Sequence, residues 1–295
     1  MKAANHIVNF LTSNFLYIIW FAIYFTLAWA ILGANRYSFI IVSILYGASI
    51  TVALSPIGEV ILRYSEGCRE PATEEECNYL IPIFEEVYEN AKEYNPQLND
   101  DIQLYIMDAM YVNAFAMGRK TVAVTRGAIE TFTEDELRGV LAHELGHITY
   151  GHTKALLLSV IGNFFFSMIV WVFRLVLHIV QFISNMVAGL NVVGLVFAFI
   201  TFITRIYVDI LVFVFIYLSQ VILALNSRSN ELQADGFAFE VGYGRELISG
   251  LYLLQKITMN TQLSLSERIR ASHPHLADRI RALEILEDEI WHKIN

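Results

Sequence analysis

Four long stretches of the chain are nearly free of charge, and the segments around them mix polar and apolar positions at regular spacing. Phe15 to Leu32 and Tyr37 to Ile57 are uncharged, and each is about long enough to cross a bilayer. Only Gly33-Ala-Asn-Arg36 separates them, which predicts a tight helical hairpin. The first run has neither a basic leader nor a small-residue cleavage site, so a retained anchor is expected. Two further apolar stretches run from Ala155 to Ser184 and from Leu190 to Leu225. The second, at 36 residues, is longer than one span needs, so its end is expected to continue as a helix outside the membrane. Arg174, His178, Arg205 and Asp209 interrupt these stretches. Arg205 and Asp209 are four apart and are expected to pair, with Arg174 snorkelling to the interface.

Between Tyr64 and Thr153 the pattern changes. Glu74 to Tyr94 predicts a helix with Leu80, Ile83, Phe84, Val87, Tyr88 and Ala91 on one side. Pro96 to Asp101 predicts a turn, followed by short strands at Ile102–Met107, Val112–Met117 and Thr121–Thr125, the last two joined at Gly118-Arg-Lys120. The stretch Asn113-Ala-Phe-Ala-Met117 carries few bulky side chains. It suits either an edge strand, open to an extended peptide, or an ordinary inner strand. Thr133-Glu-Asp-Glu136 is a capping box opening a helix whose Leu137, Val140, Leu141, Leu145 and Ile148 recur at helical spacing. Gly146 in that helix costs about 1 kcal/mol relative to alanine, which predicts that it makes room for a neighbouring backbone. Arg245 to Ile257 is amphipathic, and Pro274 is placed to open a last helix reaching about Lys293.

That capped helix also carries the chemistry. His143, Glu144 and His147 form an H-E-x-x-H run. Four residues is about one turn, so both imidazoles leave the same face and can grip one metal ion. Glu144 lies about 100° round the helix, where a carboxylate can take a proton from water activated by the ion. Zinc held in this way lowers the pKa of its water to roughly 7. The plainer alternative is two histidines satisfied by core hydrogen bonds. A metzincin-type third ligand is excluded, because Gly151 and His152 each miss the required position by one place. Downstream, Asn230-Glu-Leu-Gln-Ala-Asp235 matches the N-E-x-x-(Ser/Ala)-D pattern of gluzincins. Glu231 and Asp235 share a helical face, the first suited to bind zinc and the second to accept the free ring N–H of a ligating histidine. Because both motifs must reach one ion, the stretch between them crosses a bilayer twice or not at all. His273 and Arg279, near the opening of the last helix, suit a pair that stabilises a developing oxyanion, though such pairs are more often surface contacts.

Composition narrows the picture. The 295 residues are 56% hydrophobic and only 17% charged, unusual for a soluble protein. The net charge of −9 speaks against nucleic acid as a partner. Lys2, Arg63, Arg69, Lys154 and Arg228 against Arg36 alone favour a cytoplasmic placement for the polar segments and both termini. Cys68 and Cys77 are then expected to be reduced thiols.

Taken together, Asn113-Ala-Phe-Ala-Met-Gly118, Val122-Ala-Val-Thr125, His143 to His147, the apolar insert, Ser227 to Asp235, and Ser272-His-Pro274 with Arg279 resemble the HtpX-type membrane-bound zinc peptidases, distant relatives of the CaaX prenyl proteases. The resemblance implies a mainly α membrane protein, with four transmembrane helices and a cytoplasmic α+β gluzincin-type peptidase domain. Residues 1–63 would form the first membrane hairpin and 154–226 the second; 64–153 and 227–295 would be the two parts of the catalytic domain. The family's pattern makes His143, His147 and Glu231 ligands to one zinc ion per chain and Glu144 the base. It places Asp235 behind a ligand, Asn113, Ala114, Phe115 and Ala116 along the substrate, and His273 with Arg279 at the tetrahedral intermediate. Met117 stands where the family more often has a small polar residue. The implied setting is a bacterial inner membrane and the implied substrates are damaged or misfolded membrane proteins. Two other readings stay open: a CaaX-type processing protease, and a non-catalytic membrane adaptor whose structural zinc takes His152 as fourth ligand.

Overall fold

The computed structural model describes residues 15–189, 192–260 and 276–294. Among them the chain is mostly helical, with one four-stranded sheet, and it divides into two compact units.

One unit takes Phe15–Thr51 and Ser159–Leu225. Helices α1 (Phe15–Ile31) and α2 (Arg36–Leu54) form the expected hairpin, closed on Tyr24, Ala28, Val42 and Tyr46. The apolar insert forms α7 (His152–Ala188) and α8 (Val192–Glu240). Among the described residues three segments are long and apolar enough to cross a membrane, Arg36–Leu54, Val170–Ala188 and Val192–Ile210. Helix α1, with 17 residues, is at the short end of the spanning range, so four spans are met by three on length and composition. Large apolar side chains such as Ile44, Phe182 and Phe213 face outward here. Arg174 does not stand alone: its guanidinium is 2.5 Å from Asp209, whereas Arg205 lies 3.9 Å from the same carboxylate. Asp209 thus takes both the expected partner from its own helix and, more closely, Arg174 from the other.

The other unit takes Val52–Leu158 and the described part of Asn226–Asn295. It begins with a helix the apolar pattern concealed, α3 (Pro56–Ser65), followed by strand β1 (Cys68–Arg69) and helix α4 (Glu74–Tyr94). A second capping box, Thr73 with Glu76, opens α4. Glu76 also pairs with Arg69 and Arg126, tying the start of α4 to the sheet. Strands β2 (Gln103–Met107), β3 (Ala114–Met117) and β4 (Thr121–Thr125) complete a sheet of order β1-β2-β4-β3. Strand β3 pairs antiparallel with β4 on one side only, so the open choice for this strand resolves to an edge. A short helix α5 (Arg126–Thr131) leads into α6 (Glu134–Tyr150), which carries the H-E-x-x-H run. Helices α9 (Gly244–Asn260) and α10 (Leu276–Ile294) follow. One core joins the apolar face of α4, the sheet, α6, Phe237 at the end of α8, Leu247 and Leu251 of α9, and Ile280 and Leu283 of α10. Cys68 and Cys77 are both free, and burial pushes the Cys68 thiol up to about 11.

Candidate metal centre

Helix α6 is fixed at its start by the expected capping box: Thr133 Oγ1 accepts from Glu136 N–H, and Glu136 accepts from Thr133 N–H. From Leu137 to Ile148 nearly every side chain is buried, the polar face included. His143, Glu144 and His147 are therefore held away from bulk solvent on a helix that cannot roll without exposing its core. Gly146 does what its cost implied. A Cβ there would stand 3.0 Å from Ala234 Cα, so the absent side chain lets α8 approach α6. The last turns of α8 carry Asn230 to Asp235, confirming that the long apolar stretch continues as a helix to this point.

That approach brings the two motifs together. Donor atoms of His143, His147 and Glu231 all lie within 4.8 Å of one another, and all three residues are buried. The two Nε2 atoms are 3.1 Å apart. Glu231 reaches both, with Oε2 3.5 Å from His143 Nε2 and Oε1 3.3 Å from His147 Nε2. Each ring is engaged on its far side. His143 Nδ1 is 2.8 Å from Asp235 Oδ1, the position expected for a carboxylate that orients a ligand. His147 Nδ1 is 3.0 Å from His152 Nδ1, whose Nε2 is in turn 3.2 Å from Gln233 Oε1. His152 thus stands behind His147, on the opposite side of its ring from Glu231. Nothing in the spacing alone revealed this, because Gln233 is brought in only by the fold.

Arg279 completes the enclosure. It is 3% exposed, with Nε and Nη2 at 2.8 and 2.6 Å from the two oxygens of Asp235, and Nη1 at 2.9 Å from Glu231 Oε2. Its guanidinium is already committed to two carboxylates, and Nη2 also lies 3.4 Å from His143 Nδ1. His273 lies outside the described residues. Asn113 to Ala116 lie at the open edge of β3, where Ala114 and Ala116 share the core with α6.

The electrostatics follow from this packing. Burial opposes the charge on Asp235, but Arg279 and His143 outweigh it and the carboxyl falls to about 2. Burial and Arg279 press His143 towards its neutral form, yet Asp235 and Glu231 prevail and raise it to about 9. Burial keeps His147 below its ordinary value against the pull of Glu231. Burial, reinforced by His147, drives His152 to about 3. Once the His143 proton is displaced, the buried carboxylates Glu144, Glu231 and Asp235 outnumber the one guanidinium by a formal two charges. Two imidazoles, one carboxylate and that excess suit a divalent cation of the borderline kind.

The buried His143, His147 and Glu231 cluster could hold a metal ion, with the acid Glu144 between the two histidines. The whole-chain comparisons give the family. Residues 75–287 match the profile of Peptidase family M48, and the chain belongs to that family. It is similar to the Protease HtpX homolog of Methylacidiphilum infernorum, 27% identical over 75% of each chain. It is also similar to Protease HtpX of Psychrobacter sp., 31% identical over 68% of this chain and 69% of that one. Protease HtpX of Hahella chejuensis is 31% identical over 60% of this chain and 64% of its own length. Among solved structures, S. mikatae Ste24p aligns with 95% of this chain and 65% of its own at 18% identity and a TM-score of 0.44, too loose a likeness to bear on chemistry.

Proposed function

We propose that this protein is a zinc-dependent endopeptidase of a bacterial inner membrane, cutting damaged or misfolded membrane proteins at the cytoplasmic face. The observation that carries the proposal is the convergence of His143, His147 and Glu231 around one point with Glu144 buried on the same helix. His143, His147 and Glu231 would hold the ion. Zinc bound there supplies Lewis acidity to the scissile carbonyl and lowers the pKa of water to roughly 7.

The chain's own residues do the rest. Glu144 takes the proton of the attacking water and delivers it to the leaving amine. Asp235 accepts from His143 Nδ1–H, and His152, backed by Gln233, accepts from His147 Nδ1–H. Both arrangements leave an Nε2 lone pair turned towards the shared point. Arg279 holds Glu231 and Asp235 and, with His273, stabilises the oxyanion. The edge strand β3 with the preceding Asn113, the stretch Asn113 to Ala116, pairs with an extended substrate through main-chain hydrogen bonds. The adaptor reading loses its fourth ligand, since His152 faces the back of His147.

The experiment is metal analysis of the detergent-purified protein together with cleavage of an unfolded protein substrate. A strong chelator is expected to abolish cleavage and zinc to restore it. Unimpaired cleavage after complete metal removal would overturn the proposal.

A further inference from the structure

Helix α3 is built inside out. A helix on a soluble surface buries its apolar stripe and shows polar residues to water. Here Gly58 and Glu59 are buried and Leu62 and Arg63 are partly covered, while Ile57, Val60, Ile61 and Tyr64 are 63, 50, 49 and 88% exposed. The spacing i, i+3, i+4, i+7 gathers these four on one face. The polar residues turn inward because they have partners there. Glu59 accepts from the backbone N–H groups of Arg119 at 3.1 Å and Lys120 at 2.9 Å, and from Thr121 Oγ1 at 2.6 Å. Arg63 donates to the Tyr105 hydroxyl, and its guanidinium carbon lies 4.5 Å from the centre of that ring. Rolling the helix to hide its apolar face would strip a buried carboxylate of three donors, so the exposed face is locked outward.

The chain itself says what covers it. Only Ser55 separates α3 from Arg36–Leu54, one of the segments apolar and long enough to cross a membrane. No slack exists between the two, since a Cβ on Gly58 would stand 2.6 Å from the Val52 carbonyl oxygen. A chain leaving the hydrocarbon at Leu54 is at headgroup depth, and a ten-residue helix starting there, about 15 Å long, begins in that layer. Three branched aliphatic side chains ending in a tyrosine suit that layer, where an aromatic ring with a polar tip is favoured.

We infer that α3 lies in the membrane interface with Ile57, Val60, Ile61 and Tyr64 against lipid, and that Glu59 thereby tethers the β3–β4 turn to the bilayer surface. The inference rests on the membrane insertion in the proposed function but not on its chemistry. Thr153 Oγ1 adds a second hold on that turn, donating to the Gly118 carbonyl at 2.5 Å. The open edge of β3 is then presented beside the lipid, where an extended segment leaving the bilayer would meet it.

The test is site-directed spin labelling of the full chain in phosphatidylcholine vesicles, in a Cys68→Ser, Cys77→Ser background. Labels go on Ile57→Cys, Val60→Cys, Ile61→Cys and Tyr64→Cys in turn, with Gly47→Cys as a mid-span reference and Glu66→Cys and Glu70→Cys as aqueous references. The four face positions should show greater access to oxygen than to a water-soluble nickel chelate, at shallower depth than position 47, and positions 66 and 70 the reverse. Nickel access at all four face positions would overturn the inference. Labels shielded from both reagents would overturn it too, by showing that protein covers the face. A water-accessible label at position 47 would instead reject the membrane insertion on which both readings stand.

Discussion

Asp235→Asn isolates the residue that orients His143. The carboxylate is 1% exposed and offers two acceptor oxygens to three donors, Arg279 Nε at 2.8 Å, Arg279 Nη2 at 2.6 Å and His143 Nδ1 at 2.8 Å. An isosteric carboxamide offers one oxygen and one NH2 group. If its oxygen faces His143, the NH2 is set against Arg279 Nε, donor against donor. If it flips, the NH2 faces His143 Nδ1, which must then accept, moving the ring proton to Nε2 where a metal would bind. Either outcome breaks a buried ion pair, a loss of about 3–5 kcal/mol in stability, because Asp235 Oδ1 also accepts from Arg279 Nη2. The second also blocks the Nε2 lone pair of His143. Lost outer support of a ligating histidine typically weakens metal binding by roughly 10- to 100-fold, or about 1.4–2.8 kcal/mol. The assay is zinc affinity by competition with a chromogenic chelator in detergent, with circular dichroism to establish that the variant is folded. A folded variant that binds zinc as tightly as the parent would refute the argument that Asp235 sets the tautomer of His143.

Glu144→Gln should keep its zinc, because Glu144 is not among the converging donors, while proteolysis of an unfolded substrate falls by about 10²- to 10⁴-fold; undiminished cleavage would remove Glu144 as the base. The raised His143 value sets a pH dependence for metal uptake. Below about 9 the ring holds a proton that a cation must displace, so affinity should rise with pH and level off near that value, with proton release measurable by calorimetry in buffers of different ionisation heat. Gly146→Val places a side chain where a Cβ already meets Ala234 Cα at 3.0 Å, which should force α8 off α6, cost about 1–3 kcal/mol and lower metal content; a variant with full metal content and unchanged melting would show that the approach is not tight.

What the sequence made legible was whatever local spacing controls. The capping box at Thr133, the buried face of α6, helix Glu74–Tyr94 and strand Thr121–Thr125 all occur where their patterns placed them. The convergence of His143, His147 and Glu231 was legible too, because two short patterns carried by separate helices have few other reasons to coexist in one chain. Helix α3 was concealed because Ile57, Val60 and Ile61 continue the apolar run of the preceding span, and no count of hydrophobic residues shows that their helix faces outward. Strand β1 has two residues and exists only through its pairing with β2. The support behind His147 comes from His152 and Gln233, 81 positions apart, joined by no periodicity. Arg279 was singled out for its charge, but its partners could not be read from the chain. Only the fold shows that it binds the very carboxylates that hold His143 and complete the donor cluster. Patterns local to one helix specify which side chains share a face. Which faces meet is decided by packing, and at this site it is set by a missing methyl group at Gly146 and one buried guanidinium.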